Sequence, residues 1–153
     1  STTGLVLGHP LRLRPAHEDW LALMVGLSAL SSDPSTAMTE FLSREDAVFR
    51  MQLVSDQPQA GAGLFDAAMA RASAFVSTGL SAEQLTATKT ALTKGLASTT
   101  ALGASSRARL MNRSGPAELL EAIRAITLDQ VNAALAKMKE SGELAKIFAK
   151  YGL

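Results

Sequence analysis

The residue types that most often do chemistry are sparse in this sequence. There are only two histidines, His9 and His17, and no cysteine. The histidines are separated by a proline and match neither HExxH nor HxxEH, the spacings that bring two helical histidines to one zinc ion. Without cysteine, disulfides, thiol catalysis, iron–sulfur clusters and Cys-ligated zinc are excluded. We therefore predict no metal or cofactor site in this chain, and we expect His17 to be a solvated residue at a helix start.

Motifs for phosphate binding and for a serine nucleophile are also missing. GAG at 61–63 lacks the third glycine of a dinucleotide-binding loop, GxxxxGK[ST] does not occur, and neither does the GxSxG elbow. Ser105 and Ser106 precede Arg107 and Arg109, which together suggest a small phosphate site. A solvated segment is the simpler interpretation of these four residues.

Two pairs of carboxylates are close enough in sequence to be considered as acid–base pairs. Glu40 and Glu45 form the first pair, and Glu118 and Glu121 the second, with Arg124 three residues further on. That last spacing is typical of charged neighbours on a solvated helix surface. Neither pair has the surroundings expected of a buried catalytic acid and base.

Composition indicates one globular domain spanning residues 1–153. Hydrophobic residues make up 47% of the chain and charged residues 19%, and the net charge is +1 with basic residues spread along the sequence. Spread charge of this kind argues against nucleic acid as a partner. No apolar run is long enough for a membrane span. We expect a soluble protein, processed or part of a longer product, in either the periplasm or the cytoplasm.

Apolar periodicity predicts the elements of the first half of the chain. The cleanest alternation is at 47–54, where apolar Phe49 and Met51 alternate with polar Arg50 and Gln52. The predicted elements of this half are a strand that ends at Pro15, a helix at 16–30 with acidic residues in its first turn, a turn at Asp33-Pro34 followed by a short helix, the strand at 47–54, and a helix at 64–78.

Capping signals mark the helices of the second half. Gly79 suits a left-handed cap that ends the preceding helix. Ser81 with Gln84, and Thr127 with Gln130, have the spacing of a capping box, in which two backbone donors are satisfied reciprocally. The remaining predictions are a looser, partly helical stretch at 99–116, a helix that starts at Pro116, a break at Gly142 and an amphipathic helix at 143–151. Together the elements predict a helix-rich α+β fold with a small antiparallel sheet covered by helices.

Four short segments carry a likeness to a known family. They are TEFLSREDAVFRM at 39–51, GAGLF at 61–65, GLSAEQLTATKTAL at 79–92 and IRAITLDQVNAALAKM at 123–138. In this order, over roughly residues 4–138, they resemble the C-terminal, non-catalytic half of insulinase/pitrilysin-type zinc metallopeptidases. The last two segments are the most specific.

The resemblance implies a role for this chain as one wall of a peptide chamber. In the family, zinc is bound by HxxEH and a downstream Glu in the other half, so zinc is expected only in a partner half and catalysis by this chain alone is not expected. Active members hold the peptide backbone with an Arg and, seven residues later, a Tyr; the matching positions here are Leu42 and Phe49. The candidate peptide contacts that remain are Arg44, Phe49 and Arg50, beside an exposed edge expected for the 47–54 strand.

Two other functions stay open at this point. Loss of the Arg–Tyr pair favours a structural or assembly subunit of a larger complex without peptidase activity. The segment ALAKMKESGELAKIFAKYGL at 134–153 resembles the closing helices of periplasmic amino-acid-binding proteins, so a fragment of an extracytoplasmic solute-binding protein is a third, weaker alternative. The partners implied are a second peptidase-like chain or domain, or further copies of this chain, and a peptide.

Overall fold

A computed structural model describes residues 3–11, 13–29, 36–41, 47–55, 61–142 and 146. The three strands are described by their backbones. In chain order the elements are β1 (Thr3–Leu11), α1 (Trp20–Ser28), β2 (Thr36–Phe41), β3 (Ala47–Ser55), α2 (Gly61–Thr78), α3 (Ala82–Ser98), α4 (Ala101–Leu110), α5 (Pro116–Ala125) and α6 (Leu128–Glu140).

The strands pair as an antiparallel sheet in the order β1-β3-β2. β1 pairs with β3 over its whole length, with Leu11 opposite Ala47. β2 pairs with the other edge of β3, with Phe41 opposite Ala47 and Thr36 opposite Gln52. The strand with the cleanest alternation in the sequence is therefore the central strand of the three.

The short helix predicted after the Asp33-Pro34 turn is wrong over residues 36–41, where the chain forms β2. A segment of this length is too short to be a stable helix on its own. Pairing with β3 gives hydrogen-bond partners to backbone groups that otherwise need water. Thr36 and Thr39 are β-branched, which also favours a strand.

Helix α1 is enclosed by the rest of the protein. The sequence predicts a helix over 16–30 with one apolar face, but α1 begins at Trp20 and every residue from Trp20 to Leu27 is buried. Glu18 and Asp19 consequently precede the helix and do not fill its first turn. A helix that is apolar all round must be covered on all sides, and α1 packs against α3, α6 and β2.

Gly26 allows α1 and α6 to approach each other closely. A Cβ atom at Gly26 would lie 3.0 Å from Val131 Cγ1 and 3.3 Å from Leu135 Cγ. Real Cβ atoms rarely have contacts this short, so a larger residue would push α6 away or force side chains off their preferred rotamers. The glycine therefore contributes to the core by leaving room for the two α6 side chains.

The fold class predicted from the sequence, an α+β domain with a small antiparallel sheet covered by helices, is wrong for the part of the chain whose side chains are described. That part leaves out the three strands, which are described by their backbones only; it is 77% helical and contains no sheet. Its core is made by helix packing on helix, with α1 buried against α3 and α6. The buried apolar side chains with the least exposure are Trp20, Val25, Leu27, Ala108, Leu119, Ile123, Val131 and Leu135.

The later helices begin and end close to where the sequence places them. Both predicted capping boxes are confirmed, at Ser81 with Gln84 and at Thr127 with Gln130. The looser stretch at 99–116 contains a regular helix, α4, whose N-cap Thr100 accepts a hydrogen bond from the Gly103 N–H. The predicted tail helix at 143–151 lies outside the described residues except at residue 146.

Candidate peptide-binding sheet and the helices that position it

Two of the three residues predicted to contact a peptide lie in the central strand. Phe49 is opposite His9 of β1 and Thr39 of β2. Arg50 is opposite Gly8 and Met38. Arg44, like Leu42, lies outside the described residues. The sheet thus places Phe49 and Arg50 next to each other in its middle strand.

The exposed edge expected for the 47–54 strand is wrong. Strand β3 has β1 on one side and β2 on the other, so its edges are already paired over Ala47–Gln52. Periodicity within one segment reveals a strand but not its neighbours, because strand order depends on pairing with distant residues. Among the strands that the structure describes, β1 and β2 are the outer ones, and an added peptide strand would have to pair there.

Helices α1 and α2 contact the sheet, and α6 packs against both of them. α2 contacts β1 and β3, whereas α1 contacts β2. α6 packs against α1 along the Gly26 contact and also contacts α2. Helices α1 and α2 therefore lie between α6 and the sheet in this set of contacts.

The α2–α3 turn is held by a side chain from α6. Gly79 has a φ of 74°, in the left-handed region, and its N–H donates to Phe75 O at 2.8 Å, as predicted for a helix-ending glycine. The next residue, Leu80, is buried, and its N–H donates to Asn132 Oδ1 at 2.9 Å. Asn132 thereby supplies an acceptor to a backbone group that lacks a partner within its own turn.

An ion pair joins the start of α1 to the last turn of α6. Lys137 Nζ donates to Asp19 Oδ2 at 2.8 Å. The hydrogen bond to the Asp19 carboxylate, together with its negative charge, raises the pKa of Lys137. Both groups are partly or largely exposed, so the energy of the pair is reduced by solvent. The pair links the two ends, whereas the buried contact of Gly26 with Val131 and Leu135 sets how closely α1 and α6 pack.

Glu118 is the carboxylate with the most extensive set of hydrogen bonds among the described residues, and these bonds are structural. Its Oε2 atom accepts from the Ser114 backbone N–H at 2.6 Å and from the Ser114 hydroxyl at 2.5 Å. Hydrogen bonds from Ser114 lower the pKa of Glu118, with a smaller contribution from the Arg113 charge. A lowered pKa keeps this group ionised, which suits a helix N-terminus and not a general acid.

His17 is not part of a metal site in the part of the chain that the structure describes. His17 is exposed, and its Nδ1 accepts from the Asp19 N–H at 3.1 Å just before α1. His9 lies in β1. Within the described ranges, no group of three or more His, Asp or Glu side chains is close enough to hold a metal ion.

No pattern in the sequence predicts the two contacts that hold α6 in place. Asn132 meets Leu80 across 52 residues, and Lys137 meets Asp19 across 118 residues. Neither pair has a characteristic local spacing, whereas a capping box spans only three residues. Both contacts were therefore found only from the three-dimensional structure.

Comparisons with known proteins identify the fold but not a close relative. No family model matches the sequence, and no curated protein matches it either. The structure is similar to a crystal structure of the inactive domain of an M16 peptidase from Pseudomonas fluorescens, with a TM-score of 0.63 and 16% identity over 89% of this chain. It is also similar to a protein from Bordetella pertussis Tohama I that is provisionally assigned as a zinc protease, with a TM-score of 0.63 and 19% identity over 88% of this chain.

The two solved structures differ in how much of them this chain spans. It covers 38% of the Pseudomonas protein and 86% of the Bordetella protein. No helix of the described residues is long and apolar enough to cross a membrane. At these identities the likeness concerns the fold alone. The chain has the fold of an inactive M16 peptidase domain, and the resemblance predicted from the sequence, to the non-catalytic half of an insulinase/pitrilysin-type peptidase, is confirmed at that level.

Proposed function

We propose that this chain is a non-catalytic, peptidase-like domain that forms one wall of a peptide chamber, opposite a partner half that supplies zinc, its ligands and the general-base Glu. The observation that carries the proposal is the likeness of fold to an inactive M16 peptidase domain over 89% of the chain. The sequence supports it independently, because it contains neither HxxEH nor HExxH. The partner half is a second peptidase-like chain or domain, which can be part of a longer product.

The proposed peptide contacts are Arg44, Phe49 and Arg50. Phe49 and Arg50 are consecutive residues of the middle strand. Because successive residues of a strand alternate between the two faces of a sheet, a peptide that lies across one face meets at most one of the two, and it does not extend β3 as a new strand. An extended peptide that instead adds to the sheet pairs with β1 or β2. The first arrangement depends on side chains and the second on backbone hydrogen bonds, and this difference makes them separable by experiment.

A structural or assembly role without peptidase activity is the alternative function. The family's Arg and Tyr are replaced by Leu42 and Phe49, which removes a guanidinium and a phenol hydroxyl. A peptide backbone would lose hydrogen bonds to both groups. Under this alternative the chain keeps the fold in order to bind other subunits. The third possibility, a fragment of a solute-binding protein, depends on the 134–153 segment alone.

Native mass spectrometry of the chain, purified gently from its source, tests the proposal first. We expect a complex with a second chain or domain that carries HxxEH. The two components are then purified separately and assayed, alone and together, with an internally quenched peptide. Cleavage by the pair that stops on zinc chelation supports the proposal, whereas zinc-dependent cleavage by this chain alone overturns its non-catalytic part.

Other outcomes of the same measurement favour the alternatives. A stable complex with subunits that lack HxxEH, and no cleavage, supports an assembly role and refutes the peptidase role. A homo-oligomer that does not bind peptide also supports an assembly role and refutes the peptidase role. Saturable heat release on titration with an amino acid would support the solute-binding interpretation.

Substitutions in the sheet test the proposed peptide contacts. In the reconstituted pair we expect Arg50→Ala to raise the KM for a peptide substrate about 10- to 150-fold, because a hydrogen bond to a charged group is worth about 1.5–3 kcal/mol when it is made. Arg107→Ala is the matched control, since Arg107 is exposed on α4. A peptide with N-methylated backbone amides distinguishes the two arrangements. It should bind more weakly than the unmodified peptide if peptides pair with β1 or β2 through backbone hydrogen bonds. It should bind with similar affinity if peptides lie across the sheet on side-chain contacts. Equal KM values for both Arg variants and the unmodified chain would rule out Arg50 as a contact.

A further inference from the structure

We draw no further inference here: the strongest candidate, the exposed surface of α3 around Ala87 and Ala91 that continues to exposed Leu102 at the start of α4, carries none because nothing in the structure shows what covers it.

Discussion

Replacing Asn132 by alanine removes the acceptor for the Leu80 N–H. This N–H belongs to a buried residue, and its 2.9 Å hydrogen bond to Asn132 Oδ1 is part-buried. A buried donor left without a partner costs about 1–3 kcal/mol. For a cost of about 2 kcal/mol and a urea m-value of about 2 kcal/mol/M, the unfolding midpoint falls by about 1 M. The m-value itself should not change, because the surface exposed on unfolding is nearly the same.

Urea denaturation followed by far-UV circular dichroism measures this change, and hydrogen exchange shows where it acts. We expect the Leu80 amide to exchange faster in Asn132→Ala, beyond what the lower global stability explains. Asn132→Asp is the matched control, because it keeps an oxygen that accepts from the same N–H. Equal loss of stability in Asn132→Ala and Asn132→Asp, with unchanged local exchange at Leu80, would refute the role given to the amide oxygen.

Gly79 extends the test to a double-mutant cycle. Gly79 has a φ of 74°, so an alanine at this position would adopt a strained, left-handed backbone conformation. Its Cβ atom would also lie 3.0 Å from Asn132 Oδ1. Left-handed backbone costs an L-residue about 1–2 kcal/mol. Because the crowding disappears when Asn132 is alanine, the double variant should lose less stability than the sum of the single variants. Gly95→Ala is the control: no atom lies within 4 Å of its Cβ position in α3, so we expect a gain of about 0.5–1 kcal/mol.

Three further predictions concern caps and charged groups. Ser81→Ala should lower the free energy of unfolding by about 1 kcal/mol, and Ser81→Gly by only a few tenths, because glycine tolerates the N-cap conformation; thermal unfolding of the two variants checks this order. Asp19 raises the pKa of Lys137. The ion pair therefore stabilises the folded protein below the ordinary lysine pKa of about 10.4, and this stabilisation is lost as the pH rises through the pKa of Lys137 in the folded protein. Urea unfolding midpoints measured across this pH range should fall less in Lys137→Met than in the unmodified protein. Hydrogen bonds from Ser114 lower the pKa of Glu118. These bonds therefore stabilise the folded protein above about pH 4.3, and the stabilisation is lost as the pH falls through the pKa of Glu118 in the folded protein. In Glu118→Gln the free energy of unfolding should consequently depend less on pH in the acidic range.

Matched substitutions on the same helices make the two tests of pH dependence specific. Lys139→Met removes another exposed lysine from the last turn of α6, and Glu121→Gln removes another exposed carboxylate from α5. Both should leave the pH dependence close to that of the unmodified protein. If they flatten it as much as Lys137→Met and Glu118→Gln do, general charge effects explain the pH dependence and the specific hydrogen bonds do not.

Local signals in the sequence predicted local structure well. A capping box needs only a hydroxyl residue and a Gln three positions later, and both boxes formed where that pattern occurs, at Ser81 and Thr127. The left-handed conformation of Gly79 followed from the same kind of reasoning. These features depend on backbone groups within one turn, so distant parts of the chain have little influence on them.

Features that depend on distant partners were predicted less well. The segment that forms β2 has no strong strand pattern, and it becomes a strand through pairing with β3. The same pairing made the expected free edge of β3 wrong. Helix α1 was expected to have one apolar face, yet neighbours from β2, α3 and α6 enclose it. In each case the decisive contact lies outside the window in which periodicity is measured.

If the proposed function holds, the residues that stabilise the helices and the residue proposed to contact a peptide lie on different elements. Asn132, Lys137 and the side chains facing Gly26 all act on α6, whose contacts reach the sheet through α1 and α2. Substitutions at these positions should therefore lower stability while the folded fraction keeps its affinity for a peptide. Arg50→Ala should do the reverse, because Arg50 lies in the sheet itself. If variants of α6 and of Arg50 changed affinity and stability in parallel, peptide binding would depend on the integrity of the whole domain and the middle strand would have no special part in it.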